Sequence, residues 1–156
     1  MFDARAFIQQ EFQHRIIDVT LPDLAPWFDA DAPPIWQVRG LTGNELARVT
    51  EAVEKHRGIE ALLQGILSSD NEEKADAVRK IMSLDNDTPA DIVKRVEMLV
   101  MGSVAPECDL ELAVKLKDTF PVEFMTLTNK ILQATGKGQI PGKPKGSGET
   151  SPSEPL

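Results

Sequence analysis

The chain has 156 residues and a mass of 17.2 kDa, enough for one domain with its own hydrophobic core and too little for two. Hydrophobic residues make up 41% and charged residues 27%, which excludes wholesale disorder. A net charge of −8 opposes phosphate backbones and anionic leaflets, so neither nucleic acid nor membrane is an expected partner.

The N-terminal forty residues read differently from the rest. Asp3 is placed to cap a short amphipathic helix carrying Phe7, Ile8 and Phe12. Residues 14–21 turn β-like and stop at Pro22, and the DADAPP stretch at 29–34 reads as a loop. Residues 35–41 then alternate with a period of two, Ile35, Gln37 and Arg39 against Trp36 and Val38. Two short strands forming one antiparallel pair are expected here.

From residue 42 to 135 the chain is expected to be helical. Thr42-Gly-Asn-Glu45 is a capping box, followed by Leu46, Val49, Ala52 and Val53 at helical spacing, with Gly58 as the stop. A separate helix is expected through Ile59 and Leu62, and a second capping box at Ser69-Asp-Asn-Glu72 opens another with Ala75, Val78 and Met82. Thr88 as N-cap and Pro89 as the first helical residue begin a helix with Ile92, Val96, Leu99 and Val100. Pro106 interrupts. Asp109 caps a helix with Leu110, Ala113, Val114 and Leu116, and Pro121 starts the last one, through Phe124, Leu127, Thr128, Ile131 and Leu132. Residues 136–156 hold 5 of the 10 glycines and 4 of the 11 prolines, with almost no aliphatic side chains, and read as a disordered Gly/Pro/Lys tail. The expected fold is therefore mainly α: a single multi-helix domain over 1–135 with a small N-terminal β element (α+β).

Catalytic and metal-binding patterns fail on their own chemistry. The tail near Gly142-Lys143 lacks the first glycine and the hydroxyl of a phosphate-binding loop, and Pro144 stands where that hydroxyl belongs. Asp85-Asn-Asp87 opens like a calcium loop, but Ala90 and Val96 occupy the glycine and bidentate-carboxylate positions. Cys108 is the one cysteine, which excludes an internal disulfide and suits a reducing compartment. Its only imidazole partners are His14 and His56, expected in remote surface helical contexts, His56 near a helix C-terminus. Two histidines without ligand spacing make no zinc centre. No enzyme activity, cofactor or metal is expected. The longest apolar run, residues 98–101, is far too short for a bilayer span, and the N-terminus carries no secretory leader.

The candidate binding residues are apolar. Trp27 and Phe28 stand in the least regular part of the chain and Trp36 follows on the strand; they either plug the edge of the core or form an exposed patch that docks a partner. Met98, Met101 and Met125 read first as core filling by their helical spacing beside Leu and Val, with an adaptable groove as the alternative.

Two segments carry a family resemblance. Ile35-Trp-Gln-Val-Arg-Gly-Leu-Thr-Gly-Asn-Glu45 resembles the strand-to-helix passage of tail assembly chaperones of long-tailed bacteriophages. Phe120-Pro-Val-Glu-Phe124, continuing through Thr128-Asn-Lys-Ile-Leu132 to Thr135-Gly136, is similar to the helix that ends the folded part of that family. Residues 1–34 lie outside the resemblance. It implies a non-enzymatic protein of the host cell cytoplasm, absent from the mature virion. Such a protein binds the tape measure protein, an aggregation-prone helical chain, and keeps it soluble until tail-tube subunits polymerise around it. It also implies a longer product of ribosomal frameshifting that recruits the tail-tube protein; Gly136-Lys137 and Gly142-Lys143 are dipeptides a slippery codon pair would encode. A homo-oligomer is compatible with it. A minor head–tail or tail-completion protein retained in the virion is the competing expectation.

Overall fold

The computed structural model describes residues 1–67 and 88–142. Chain order is α1 (Ala4–Gln9), β1 (Phe12–Gln13), β2 (Ile16–Thr20), a 3-10 helix (Pro22–Trp27), β3 (Ile35–Arg39), α2 (Gly43–Leu67), α3 (Ala90–Gly102), β4 (Ser103–Ala105), α4 (Leu110–Thr119), α5 (Pro121–Lys137) and β5 (Ile140–Pro141). The fold is mainly helical, with a small antiparallel sheet: an α+β architecture.

β3 is the central strand of a three-stranded sheet ordered β2-β3-β4. Its expected alternation is observed: Trp36 and Val38 are buried, while Ile35, Gln37 and Arg39 are half-exposed. β2 pairs antiparallel with it over Ile16↔Arg39 to Thr20↔Ile35, and Gln37 Nε2 donates to Asp18 Oδ1 across the pair at 2.9 Å. β4 was not expected. It follows directly on α3 and joins β3 through a register irregularity between Gln37 and Val38, so its strand character comes from the partner rather than from its own three residues.

α5 is the hub of the core. It packs against β3, β2, α3 and α4, and its Phe124, Leu127, Thr128 and Ile131 are fully enclosed. α3 lies beside it with Val93, Val96, Met98 and Leu99 inward. One polar clamp joins the two helices. The Arg95 guanidinium, paired with Asp91 one turn earlier, donates to Thr128 Oγ1 at 2.7 Å and to Asn129 Oδ1 at 2.9 Å. Thr128 is buried, and this bond together with its own donation to the Phe124 carbonyl satisfies its hydroxyl.

The Thr42 capping box forms as expected. Glu45 N donates to Thr42 Oγ1 at 3.2 Å and Thr42 N donates back to Glu45 Oε1 at 2.9 Å. Asp109 caps α4 by accepting from Leu112 N, and Asp3 caps α1 by accepting from Ala6 N. Four other expectations are corrected. Gly58 does not stop a helix: α2 runs through it to Leu67, because a glycine ends a helix only where it takes a left-handed conformation, and Gly58 does not. α3 begins at Ala90, since Pro89 has an extended ψ of 147° and takes the N-cap place given to Thr88. α1 ends at Gln9, so Phe12 lies in β1. The tail boundary at 136 is too early. α5 continues through Gly136 to Lys137, stops at Gly138 (φ 72°), and residues 140–141 pair with β1. The capping box and helix expected over 69–82, and residues 143–156 of the expected tail, lie outside the described residues.

Candidate apolar cleft

The aromatic residues singled out in the sequence are gathered at the N-terminal end of α5. The 3-10 helix, bracketed by Pro22 and Pro26, turns the chain from β2 toward the loop at 28–34, and Leu21 N closes that loop by donating to the Pro34 carbonyl at 2.8 Å. Leu24 is thereby anchored in the core, whereas Trp27 stands 72% exposed. Trp36, at the start of β3, is buried with its indole nitrogen donating to Ser103 Oγ at 3.0 Å. That hydroxyl donates onward to the Leu99 carbonyl at 2.7 Å, which fixes the indole and ties β4 to α3.

Between these residues and α4 lies an open cleft of about 460 Å³. One wall is Leu24, Trp27, Phe28 and Trp36; the other is Leu112, Leu116 and Phe120, with Pro106 at one end. Trp27 meets Phe120 edge to face with ring centroids 5.7 Å apart, an arrangement that holds the indole upright beside the opening. Among the described residues, Lys115 and Thr119 supply the polar lining. A second depression of about 530 Å³ runs along the outer face of α4 past Glu111 and Asp118 and has no aromatic wall.

Of the six candidate residues, Trp27, Phe28 and Trp36 come together here. The three methionines do not: Met98 is buried in the core, and Met101 and Met125 pack against it from its edge. Sequence reasoning missed Leu112, Leu116 and Phe120. Their spacing of four marks a second apolar stripe on α4, displaced from Ala113, and that was the available signal. The cleft lies between the irregular chain at 22–36 and the α4–α5 corner.

The titratable groups with perturbed environments lie outside the cleft lining. Burial pushes the Cys108 thiol up to about 12, with Asp109 adding to the effect, so it is protonated and packed rather than nucleophilic. His56 is buried within α2 beside Val49 and Val53, not on a surface or at a helix end. His14 lies between β1 and β2, and its pKa is lowered by burial and by the Arg39 charge. Arg39 forms a two-pronged ion pair with Glu45 at 2.9 and 2.7 Å, and that pairing holds the Glu45 carboxyl down at about 2. Among the described residues no cluster of three His, Cys, Asp or Glu side chains could hold a metal ion, and no helix is long and apolar enough to cross a membrane.

No protein-family model matches this chain, and no curated protein or solved structure is significantly similar to it.

Proposed function

We propose that this protein is a non-enzymatic tail assembly chaperone whose cleft takes the apolar face of a helix of the tape measure protein. The observation that carries the reading is an open apolar cleft with an exposed tryptophan at its edge, on a chain of net charge −8. Large exposed aromatics beside an apolar concavity are the usual anchors of helix-in-groove recognition, where the client contributes residues at i, i+3 or i+4, and i+7. A cleft of this size takes a few large side chains from such a helix. The acidic surface keeps many copies on one client apart and soluble.

The resemblance supports the same reading. The two segments that carry it meet in space, with the Leu41 amide donating to Thr135 Oγ1 at 2.9 Å. On this reading the protein acts in the host cytoplasm and leaves before the virion is complete. A frameshifted longer form brings tail-tube subunits to the client.

The test is co-expression with a candidate tape measure protein. The client is expected in the soluble fraction with the wild-type chain and in the pellet with Trp27→Ser, and the complex should survive raised salt because its contacts are apolar. A client that stays insoluble with the wild-type chain overturns the proposal. Stoichiometric amounts of this chain in purified particles would establish the tail-completion alternative instead.

A further inference from the structure

The cleft holds two polar groups that the described fold does not use. Among the described residues the Trp27 indole N–H meets no acceptor and the Lys115 ammonium no carboxylate. The other tryptophan and the neighbouring lysine are both engaged, Trp36 with Ser103 Oγ and Lys117 with Asp118. Around the two groups stand the rings of Trp27, Phe28 and Phe120, with Pro106 at one end. A hydrogen-bond donor set among aromatic rings is the lining that receives a polyproline II strand, whose carbonyls are unpaired and whose prolines stack on rings. The surroundings restrict the charge of such an occupant. Residues 22–31 and 106–119 hold seven carboxylates and two lysines, so a run of acids is repelled and a single one at Lys115 is admitted.

The chain itself carries a stretch of that chemistry. Pro152-Ser-Glu-Pro155 is a P-x-x-P repeat followed by Leu156, and its one charge is Glu154. A spacing of three matches the three residues per turn of polyproline II, which sets both prolines along one edge about 9 Å apart and turns Glu154 to the side. Pro141-Gly-Lys-Pro144 has the same spacing, but Pro141 is committed to the β1–β5 pair and Lys143 brings the wrong charge. The tether is long enough. Gly142 is held past the C-terminal end of α5 by its amide on the Glu11 carbonyl, and the cleft opens at Phe120, the N-cap of the same helix. The 17 residues of α5 span about 25 Å. Pro152 comes ten residues after Gly142, a reach of up to about 35 Å.

We infer that the Trp27 cleft is a polyproline II site whose occupant is this chain's own segment 152–156. Pro152 and Pro155 lie against the rings, Glu154 pairs with Lys115, and a backbone carbonyl of the segment accepts from the Trp27 indole. The tether favours this segment over a free proline-rich partner, because it presents the segment at an effective concentration of roughly millimolar order, where even a weak P-x-x-P contact is occupied. Segment and client helix exclude one another. A client therefore loads only by displacing the segment, which closes the cleft to weakly bound apolar chains and leaves it open to a strong one. The inference rests on the lining of the cleft and the reach of the tether, not on the identity of the client.

Acrylamide quenching of tryptophan fluorescence on the full chain tests this, because Trp36 is buried and quenching reads the surroundings of Trp27. Pro152→Ala with Pro155→Ala should steepen the quenching at least about twofold as the ring contacts are lost. Glu154→Lys and Lys115→Glu should each steepen it as well, and the two combined should return it to the wild-type slope. A peptide of residues 149–156 added to the proline variant should also restore protection. The wild-type slope should not change on dilution, since the contact lies within one copy. Equal quenching in the wild-type chain and the proline variant, or a charge exchange that restores nothing, overturns the inference. A slope that rises on dilution places the segment on another copy and overturns it equally. Should Lys115→Glu not fold, the proline variant and the peptide decide, because neither alters a residue of the described fold. A shielded Trp27 in a chain that leaves the tape measure protein insoluble would sink the client reading and leave the segment in place; an unshielded Trp27 in a chain that solubilises the client would do the reverse.

Discussion

At the C-terminal end of α5 the chain closes backbone against backbone, whereas at its N-terminal end three aromatic rings hold a gap open. The closed seam depends on Gly40: a Cβ there would lie 2.9 Å from the Ala134 carbonyl carbon and from the Thr135 nitrogen. Beyond it, Thr135 Oγ1 accepts from the Leu41 amide while donating to the Ile131 carbonyl, so both the hydroxyl and the Leu41 amide are satisfied in the seam. At the open end Trp27, Phe28 and Phe120 are too large to interleave with so close an approach. One helix and one sheet thus make both a sealed core and an exposed recess, and side-chain size decides which.

The comparison is broken most severely by Ile131→Ala. Ile131 is fully buried at the closed end and touches the space beside Gly102, where a Cβ would come within 2.7 Å of its Cδ1. A loss of about 3–4 kcal/mol is expected from the transfer and cavity terms together. Urea unfolding followed by circular dichroism measures it; a loss below about 1 kcal/mol would mean the seam is not tightly packed.

Gly40→Ala comes next, at about 2–3 kcal/mol, because the obstacle is backbone that cannot rotate away. The same change at Gly58, which sits inside α2 with nothing near its Cβ, should stabilise by about 0.5–1 kcal/mol through helix propensity. Equal effects of one methyl at the two sites would contradict the close approach at Gly40.

A smaller effect sharpens the comparison through pH. The Arg39–Glu45 pair joins the end of β3 to the start of α2 beside the seam, and it lowers the Glu45 carboxyl from 4.5 to about 2. A depressed folded-state pKa means the stabilisation is fully present above the unfolded value. It fades as pH falls through 4.5 toward 2. With partial solvent screening, about 1–2 kcal/mol should disappear over that window. Glu45→Gln should remove this contribution to the acid dependence, and acid titrations of the two proteins that coincide would rule it out.

The closed seam was largely legible in the sequence and the cleft only in part. Thr42-Gly-Asn-Glu45, Asp109 and Pro121 mark helix starts by local chemistry, and the alternation at 35–39 marks a strand within five residues. β4 and the β1–β5 pair have no such signal, for two- and three-residue strands exist only through partners more than sixty positions away. Gly58 misled because the same residue stops a helix or merely weakens it, depending on a dihedral that composition does not carry. At the cleft, Trp27, Phe28 and Trp36 stood out as aromatics in an irregular stretch, but the opposite wall is some eighty residues further on and only the folded chain brings it there. The methionines read as candidate groove residues by chemistry alone, and their helical phase turned them toward the core instead.

The smallest effect on stability should accompany the largest effect on binding. Trp27 is 72% exposed and among the described residues its ring meets Phe120, so Trp27→Ser removes an edge-to-face contact and little burial. About 1 kcal/mol or less of folding stability should be lost. If the cleft is where a partner's apolar side chains seat, the same substitution should weaken capture of the tape measure protein at least tenfold, since an indole at the edge of a recess contributes far more to a partner than to its own fold. Affinity by fluorescence anisotropy on a client peptide, set against urea unfolding of the same sample, separates the two quantities. A variant that loses stability and affinity in proportion would show Trp27 to be a core plug and not an anchor. Full stability with full affinity would move the docking surface away from the open end of α5.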